Sequence, residues 1–285
     1  MHPKAHHYVP QFYLRNFSIK HRKQYYTFCY DKATGNLFNP NVKNVAQEIG
    51  FYDFVDDDGD KKSIEEFFSA LETKSKAALE AICSKPSEDT VSENKVALAN
   101  FVAYQMSRTV IFREEHLSML QGVNIRLKND GIEFPMPTEN ERKRFQILFI
   151  LKNTPIFLSV LLEMKWALIL NETGRPFWTS DHPIIRYNPY KSEFVGNLGL
   201  ISKGIQLHMP LSPKLALTIC DPQEYVGAKS EMLAIDPNVE FNNSRQVIYS
   251  RQYLFSIDDD FELARQMIRE NPDFGNPDRL RVVVS

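Results

Sequence analysis

From about residue 63 to about residue 164 the apolar residues recur at helical spacing, and from Trp166 onward they come in short extended runs between turns. That change of period selects an α+β organisation: a helical middle section packed with a mostly antiparallel sheet of N-terminal and C-terminal-half strands. Ser63 caps a helix reaching about Ser84, ahead of Pro86. Asp89 or Ser92 starts a much longer helix to about Lys128, and a third, from about Glu139, is interrupted near Thr154-Pro155 and resumes to about Met164. Strands are expected over 24–30, turned back by Thr34-Gly35 toward a second extended piece, and over 51–55, ended by Asp56-Asp57-Asp58-Gly59. Residues 166–170 and 176–179 should pair across a turn at 171–174, with further strands over 205–209, 215–219 and 280–284. Helices should cover 238–249 and 261–269. No linker rich in Gly, Ser or Pro interrupts the chain, so 1–285 is expected to be a single domain.

A chain of 285 residues can bury a core without staples. Its net charge of −2 gives no global field toward nucleic acid or anionic membrane and leaves room for a locally basic groove. Cys29, Cys83 and Cys220 are far apart with no CxxC, which argues against a disulfide framework or a Cys-rich zinc site and suits a reducing, cytoplasmic setting. Polar and basic residues interrupt the N-terminus early, so it does not read as a secretory leader. The most apolar stretch, 145–170, contains Lys152, Asn153, Pro155, Glu163 and Lys165, so neither a membrane span nor a membrane partner is expected.

The chemistry-bearing residues fall on apolar faces. Pro10 suits the first turn of a short helix to about Phe17. His7, Gln11 and Arg15 are spaced by four and line one face of it, while Val9, Phe12, Tyr13 and Phe17 anchor it; His6 stands beside them. Ile64, Phe67, Phe68, Leu71, Ala78 and Ile82 mark the core stripe of the first long helix. Glu65 and Glu72 share a side of that helix, and Glu66 faces solvent. On the next helix Leu98, Phe101, Phe112 and Met119 form a stripe that contains Gln105 and Arg108, with His116 at its edge. A buried Arg or Gln is costly unless paired, so Glu72 or Asp181 is the expected partner of Arg108. The plain alternative is a buried polar network that fixes helix packing. Asp181, in Thr179-Ser180-Asp181-His182-Pro183, is either a ligand at a strand end or part of a turn whose side chains bond to backbone amides.

The 6–17 run, Glu65 with Glu72, Gln105 with Arg108, Trp166, the Thr179–Pro183 turn, Pro210-Leu211-Ser212-Pro213 and Asn242 or Asn243 together resemble one family, the domain of unknown function 4238, over roughly residues 6–257. His182 stands where many members would carry Asn. The family resemblance implies no activity; it supports the residue ranking and the single-domain expectation. Other motifs fail. The His6-His7 run lacks the downstream Asn and His of an HNH nuclease, and Arg108 or Arg113 with His116 misses the HEPN ribonuclease spacing. The loop around Asp56 puts Phe54 at the first calcium position. Asp273-Phe274-Gly275 has no kinase loops around it, and no phosphate loop or dinucleotide fingerprint is present.

The candidate set is therefore His7, Gln11, Arg15, Glu65, Glu72, Gln105, Arg108 and Asp181. It suits phosphodiester chemistry: His6, His7, Glu65, Glu72 and Asp181 as ligands of a divalent metal (Mg, Mn or Zn) that activates water, and Arg15 and Arg108 against the charge developing on phosphate. Lys20, Arg22 and Lys23 would guide a nucleic-acid backbone. A metal-dependent nuclease or nucleotide-processing enzyme, a toxin-like or defence effector, is the first expectation. The competing one is a non-enzymatic binding or interaction protein whose polar cluster recognises a small anion or is structural. The first helix, the Glu72 helix, the Arg108 helix and the Asp181 turn are expected to converge.

Overall fold

Proline fixes how the chain starts. In the computed structural model, which describes residues 5–190 and 197–279, Pro10 is extended and caps the helix from outside. A strand, β1 (Ala5–His7), therefore leads into α1 (Gln11–Leu14), which tightens into a 3-10 turn over Arg15–Phe17. Next come β2 (Ile19–His21), β3 (Gln24–Tyr26), β4 (Phe28–Asp31), β5 (Leu37–Phe38), β6 (Gln47–Ile49), β7 (Asp53–Val55) and β8 (Lys61–Ser63). Four long helices follow: α2 (Glu65–Ser84), α3 (Glu88–Ser107), α4 (Val110–Asn129) and α5 (Glu139–Glu163). The last part holds β9 (Lys165–Leu170), β10 (Thr179–Ser180), β11 (Ile185–Tyr187), β12 (Gln206–Ser212), β13 (Leu215–Cys220), β14 (Glu231–Leu233), α6 (Asp236–Tyr249), β15 (Tyr253–Ser256) and α7 (Glu262–Glu270).

The fold is α+β with mostly antiparallel sheets. A five-stranded sheet runs β11-β12-β13-β9-β14, parallel only at β14. A four-stranded sheet runs β10-β15-β4-β5 and joins the N-terminal and C-terminal-half strands as expected. Strand alternation sends Leu207, Met209, Leu217, Ile219, Trp166 and Leu168 into the main core, where they meet Leu98, Phe101 and Val102 of α3 and Ile150 and Leu161 of α5. Val9, Tyr13 and Phe17 close that core from the N-terminal run, each fully buried. A second cluster, Tyr30, Trp178, Val247, Leu254 and Phe261, lies between the smaller sheet and α6 and α7.

Several boundaries differ from expectation for identifiable reasons. The single helix predicted to about Lys128 is two. α3 ends at Ser107, α4 starts at Val110, and Gln146 of α5 donates to the carbonyls of both Ser107 and Thr109 at 2.9 Å, holding the break open. Phe112, Met119 and His116 are thus not on the stripe of Leu98 and Phe101, and His116 stacks on Phe145. α3 is capped by Ser87, whose Oγ accepts from Thr90 N, and not by Asp89 or Ser92. Ile64, with Ser63 before it in β8, starts α2, and Phe67 is 39% exposed. Pro155 does not interrupt α5: the carbonyl its ring frees belongs to Leu151, on the exposed side of the helix. Residues 24–30 split at buried Thr27, whose hydroxyl bonds the Phe17 and Ser256 carbonyls, so β3 pairs β2 while β4 pairs β15. Residues 166–170 and 176–179 do not pair with each other: Asn243 binds the Pro176 carbonyl and the Trp178 amide, and β10 joins β15. Residues 280–284 lie outside the described residues.

By length and composition α5 is apolar enough to cross a membrane, despite the polar residues that spoke against a span. Only 28% of its most apolar window is buried, and Phe145, Leu148, Leu151 and Ile156 face outward.

His208 on β12 is buried with both ring nitrogens bonded, Nδ1 to Thr218 Oγ1 at 3.1 Å and Nε2 to Gln206 Oε1 at 3.0 Å. Burial, helped by the Arg245 charge, pushes its pKa from 6.5 down to about 4. The unfolded chain then takes up a proton between those values that the folded chain refuses, so this contribution to stability is complete above pH 6.5 and is lost as pH falls toward about 4. Unfolding followed by denaturant across that range should show a loss on the order of 3 kcal/mol that His208→Gln removes from the slope.

Candidate functional site

The site is built around one guanidinium. Arg108 closes the C-terminal end of α3 and is 1% exposed. Its Nη2 donates to the His7 carbonyl at 2.7 Å and to Glu72 Oε1 at 2.9 Å, and its Nε donates to Tyr52 Oη at 2.9 Å. The plane sits 4.3 Å from the Phe68 ring centroid. The Tyr52 hydroxyl donates its own hydrogen bond to the same His7 carbonyl at 3.1 Å. One turn earlier, Gln105 Nε2 donates to the next carbonyl, Tyr8, at 2.9 Å. Arg108 Nη1 and Gln105 Oε1 are sealed without a partner. Burial first, moderated by the Arg108 charge and its hydrogen bond, pushes the Tyr52 hydroxyl up to about 12.

The N-terminal histidines engage through their rings as well. His6 is buried, its Nδ1 accepts the Tyr52 amide at 3.2 Å, and it stacks on the Tyr52 ring. His7 pairs with Gln47 across β1 and β6, and its Nε2 lies 3.2 Å from the Lys43 carbonyl. Burial lowers the His7 pKa, the Lys43 carbonyl opposes that, and Arg108 adds to it.

Of the predicted residues, His6, His7, Glu72, Gln105 and Arg108 come together. Glu65, partly exposed in the first turn of α2, adds its charge to the field at Tyr52. The expected helical face of His7, Gln11 and Arg15 does not form. His7 lies in a strand before Pro10, Gln11 is the first residue of α1, and Arg15 is exposed with its guanidinium 5.1 Å over the Tyr25 ring.

Asp181 holds a separate network and is not the partner of Arg108. Its carboxylate accepts the amides of Arg251, Gln252 and Tyr253 at 2.8, 2.7 and 2.8 Å, which clamps the approach to β15 onto the end of β10. Its charge still reaches the buried Tyr8 phenol, whose pKa rises mainly through burial. Ser180 Oγ accepts the His182 amide at 3.1 Å, and His182 Nδ1 meets Thr109 Oγ1 at 2.9 Å, which ties this turn to the α3–α4 break. Asn243 fixes Pro176 and Trp178, and Asn242 bonds back to the Asn238 carbonyl.

Three of the five residues expected to hold a divalent ion have other partners in this arrangement. His6 Nδ1, Glu72 and Asp181 are taken up by Tyr52 N, Arg108 and three backbone amides. Among the described residues no three His, Cys, Asp or Glu side chains gather as ligands. A groove of about 820 Å³ lies instead at the end of α5, with Glu163, Met164, Lys203 and Asp221 among its walls.

Sequence reasoning missed Tyr52 and Gln146. The aromatic pair Phe51-Tyr52 after Gly50, a glycine at φ 64°, was the available sign of a turn that brings a ring inward. Gln146 has no such sign, because its targets are carbonyls of a different helix pair.

An α+β chain with this Arg108 lock and Asp181 clamp is matched over residues 5–260 by the family model described as protein of unknown function (DUF4238), and the chain belongs to that family. No curated protein and no solved structure matches it.

Removing Glu72 leaves a guanidinium buried without its counter-charge, whereas removing Arg108 frees a carboxylate that is 28% exposed and can reach water. Denaturant unfolding of Glu72→Ala, Arg108→Ala and the double variant should therefore give a coupling of about 1–3 kcal/mol. Asp181→Ala strands three amides and should cost at least about 2 kcal/mol by the same measurement.

Proposed function

We propose that this chain is a nucleic-acid-binding protein whose contact surface is the β2–β3 hairpin, and that the Arg108 cluster is the lock that seats the N-terminal run. One observation carries the reading. Lys20, Arg22 and Lys23 stand exposed on the hairpin beside exposed Arg15, and none of the four makes an ion pair among the described residues. Arg15 and Lys20 both lie over the Tyr25 ring, at 5.1 and 5.8 Å, so two of the cations are held on an aromatic support. Four unpaired cations on a chain of net charge −2 make a local field that suits phosphate oxygens, with affinity that rests on counterion release. The lock supports a binding role over a hydrolytic one, since its carboxylate and guanidinium are spent on each other and on main-chain carbonyls.

Fluorescence anisotropy with labelled single-stranded RNA and duplex DNA tests this. Binding should weaken steeply with salt, and Lys20→Ala, Arg22→Ala and Lys23→Ala should each shallow the log–log salt slope by roughly 0.7–0.9. A triple variant that binds as well as the parent, or a parent that binds neither nucleic acid, overturns the reading.

His7 supports a second reading, a phosphodiester hydrolase. Its imidazole is partly exposed, is kept neutral by burial, and lies in the field of Arg108, a setting for a general base. The check is cleavage of RNA, DNA or nucleotides with added Mg²⁺, Mn²⁺ or Zn²⁺, abolished by His7→Ala in a protein that still folds. Intact substrates under all three metals would remove it.

A further inference from the structure

α6 covers part of the outer face of the five-stranded sheet, the face opposite the main core. Register places Tyr187 beside Gln206 and His208 beside Thr218 on that face. One helical turn after Phe241, Arg245 lays its guanidinium 4.7 Å from the Tyr187 ring centroid and 4.8 Å from that of Phe241. The two rings meet edge to face, and His208 lies 5.6 Å from Phe241, so the cation stands in an aromatic frame.

Arg245 has no hydrogen bond or ion pair among the described residues, and its Nε is sealed from solvent without a partner. The other sheltered arginines contrast with it. Arg108 has Glu72, Arg186 has Glu115 and Arg251 has Glu114, while Arg113 has Gln146 and the Phe51 carbonyl. Arg142 also has a sealed, unbonded Nε, but it lies in a groove walled by Glu114 and Glu139. Two polar side chains on that face, His208 and Gln206, carry no carboxylate and are already matched. His208 is bonded at both nitrogens, and Gln206 Nε2 donates to Tyr225 Oη at 2.6 Å.

A half-sheltered guanidinium without a carboxylate is costly to keep, and a planar fork fixed on aromatic rings loses little freedom when it grips an oxyanion. We infer that Arg245, framed by Tyr187 and Phe241, is the recognition residue of a second site, which takes a small ligand through a phosphate or carboxylate group. The site is separate from the hairpin and from the Arg108 lock, and it stands whichever way the nucleic-acid reading falls.

Calorimetric titration of the full chain with inorganic phosphate and, separately, with acetate, in a buffer free of both, tests the inference and tells the two oxyanions apart. The parent should bind at least one saturably. Arg245→Gln should abolish that binding, and thermal unfolding of the anion-free protein should register only the loss of its contacts with the Tyr187 and Phe241 rings, because among the described residues the side chain has no hydrogen-bond or ion-pair partner to lose. Arg245→Lys, which keeps the charge and loses the fork, should weaken binding at least about tenfold, a free-energy difference near 1.4 kcal/mol, and it serves where the Gln variant does not fold. The hairpin triple variant should bind as the parent does. The inference is overturned if the parent binds neither anion, if Arg245→Gln and Arg245→Lys bind like the parent, or if binding disappears with the hairpin charges instead.

Discussion

A guanidinium taken out of water has to be met on several sides at once, and that demand organises this molecule. Arg108 is among the largest fully buried side chains, and its partners come from three separate parts of the sequence: His7 in β1, Tyr52 before β7 and Glu72 in α2. The bond to His7 constrains a short strand, whereas those to Tyr52 and Glu72 reach segments already packed in the main core. β1 is three residues long and, among the described residues, pairs only with the three-residue β6. Arg108 and Gln105 grip the two carbonyls at its end and tie it to α3. The ion pair itself adds modest stability, but its geometry is demanding, so the arrangement specifies one docking of the N-terminal run on α2 and α3.

The Asp181 clamp does the equivalent work at the other end of the sheet system. A carboxylate that accepts three successive amides fixes the chain entering β15, and β15 pairs both β10 and β4. His182 and Thr109 then connect that turn to the break between α3 and α4, where Gln146 holds two carbonyls. Locks of one kind therefore recur: a buried polar side chain reaches main-chain groups of a segment distant in sequence.

What the sequence makes legible follows from how local its cause is. The helical middle, the strand pair β12–β13 and the burial of Val9, Tyr13 and Phe17 rest on periodicity and apolar anchors, and they are readable. The pairing of Glu72 with Arg108 is readable too, because both lie on apolar faces and a buried charge demands an opposite one. The split of α3 from α4 is not, since it depends on a glutamine 37 and 39 residues downstream of the carbonyls it binds. Nor is the fate of Asp181, which spends its carboxylate on amides some 70 residues away. His7, Gln11 and Arg15 look like one helical face only if the helix starts before Pro10, and the proline decides otherwise.

The lock on the N-terminal run reads main chain. Arg108, Tyr52 and Gln105 grip the carbonyl oxygens of positions 7 and 8, atoms that every amino acid supplies. Docking is thereby separated from side-chain identity at position 7. Drift at that position would leave the anchorage intact, and any constraint that keeps an imidazole there comes from work done by the ring itself.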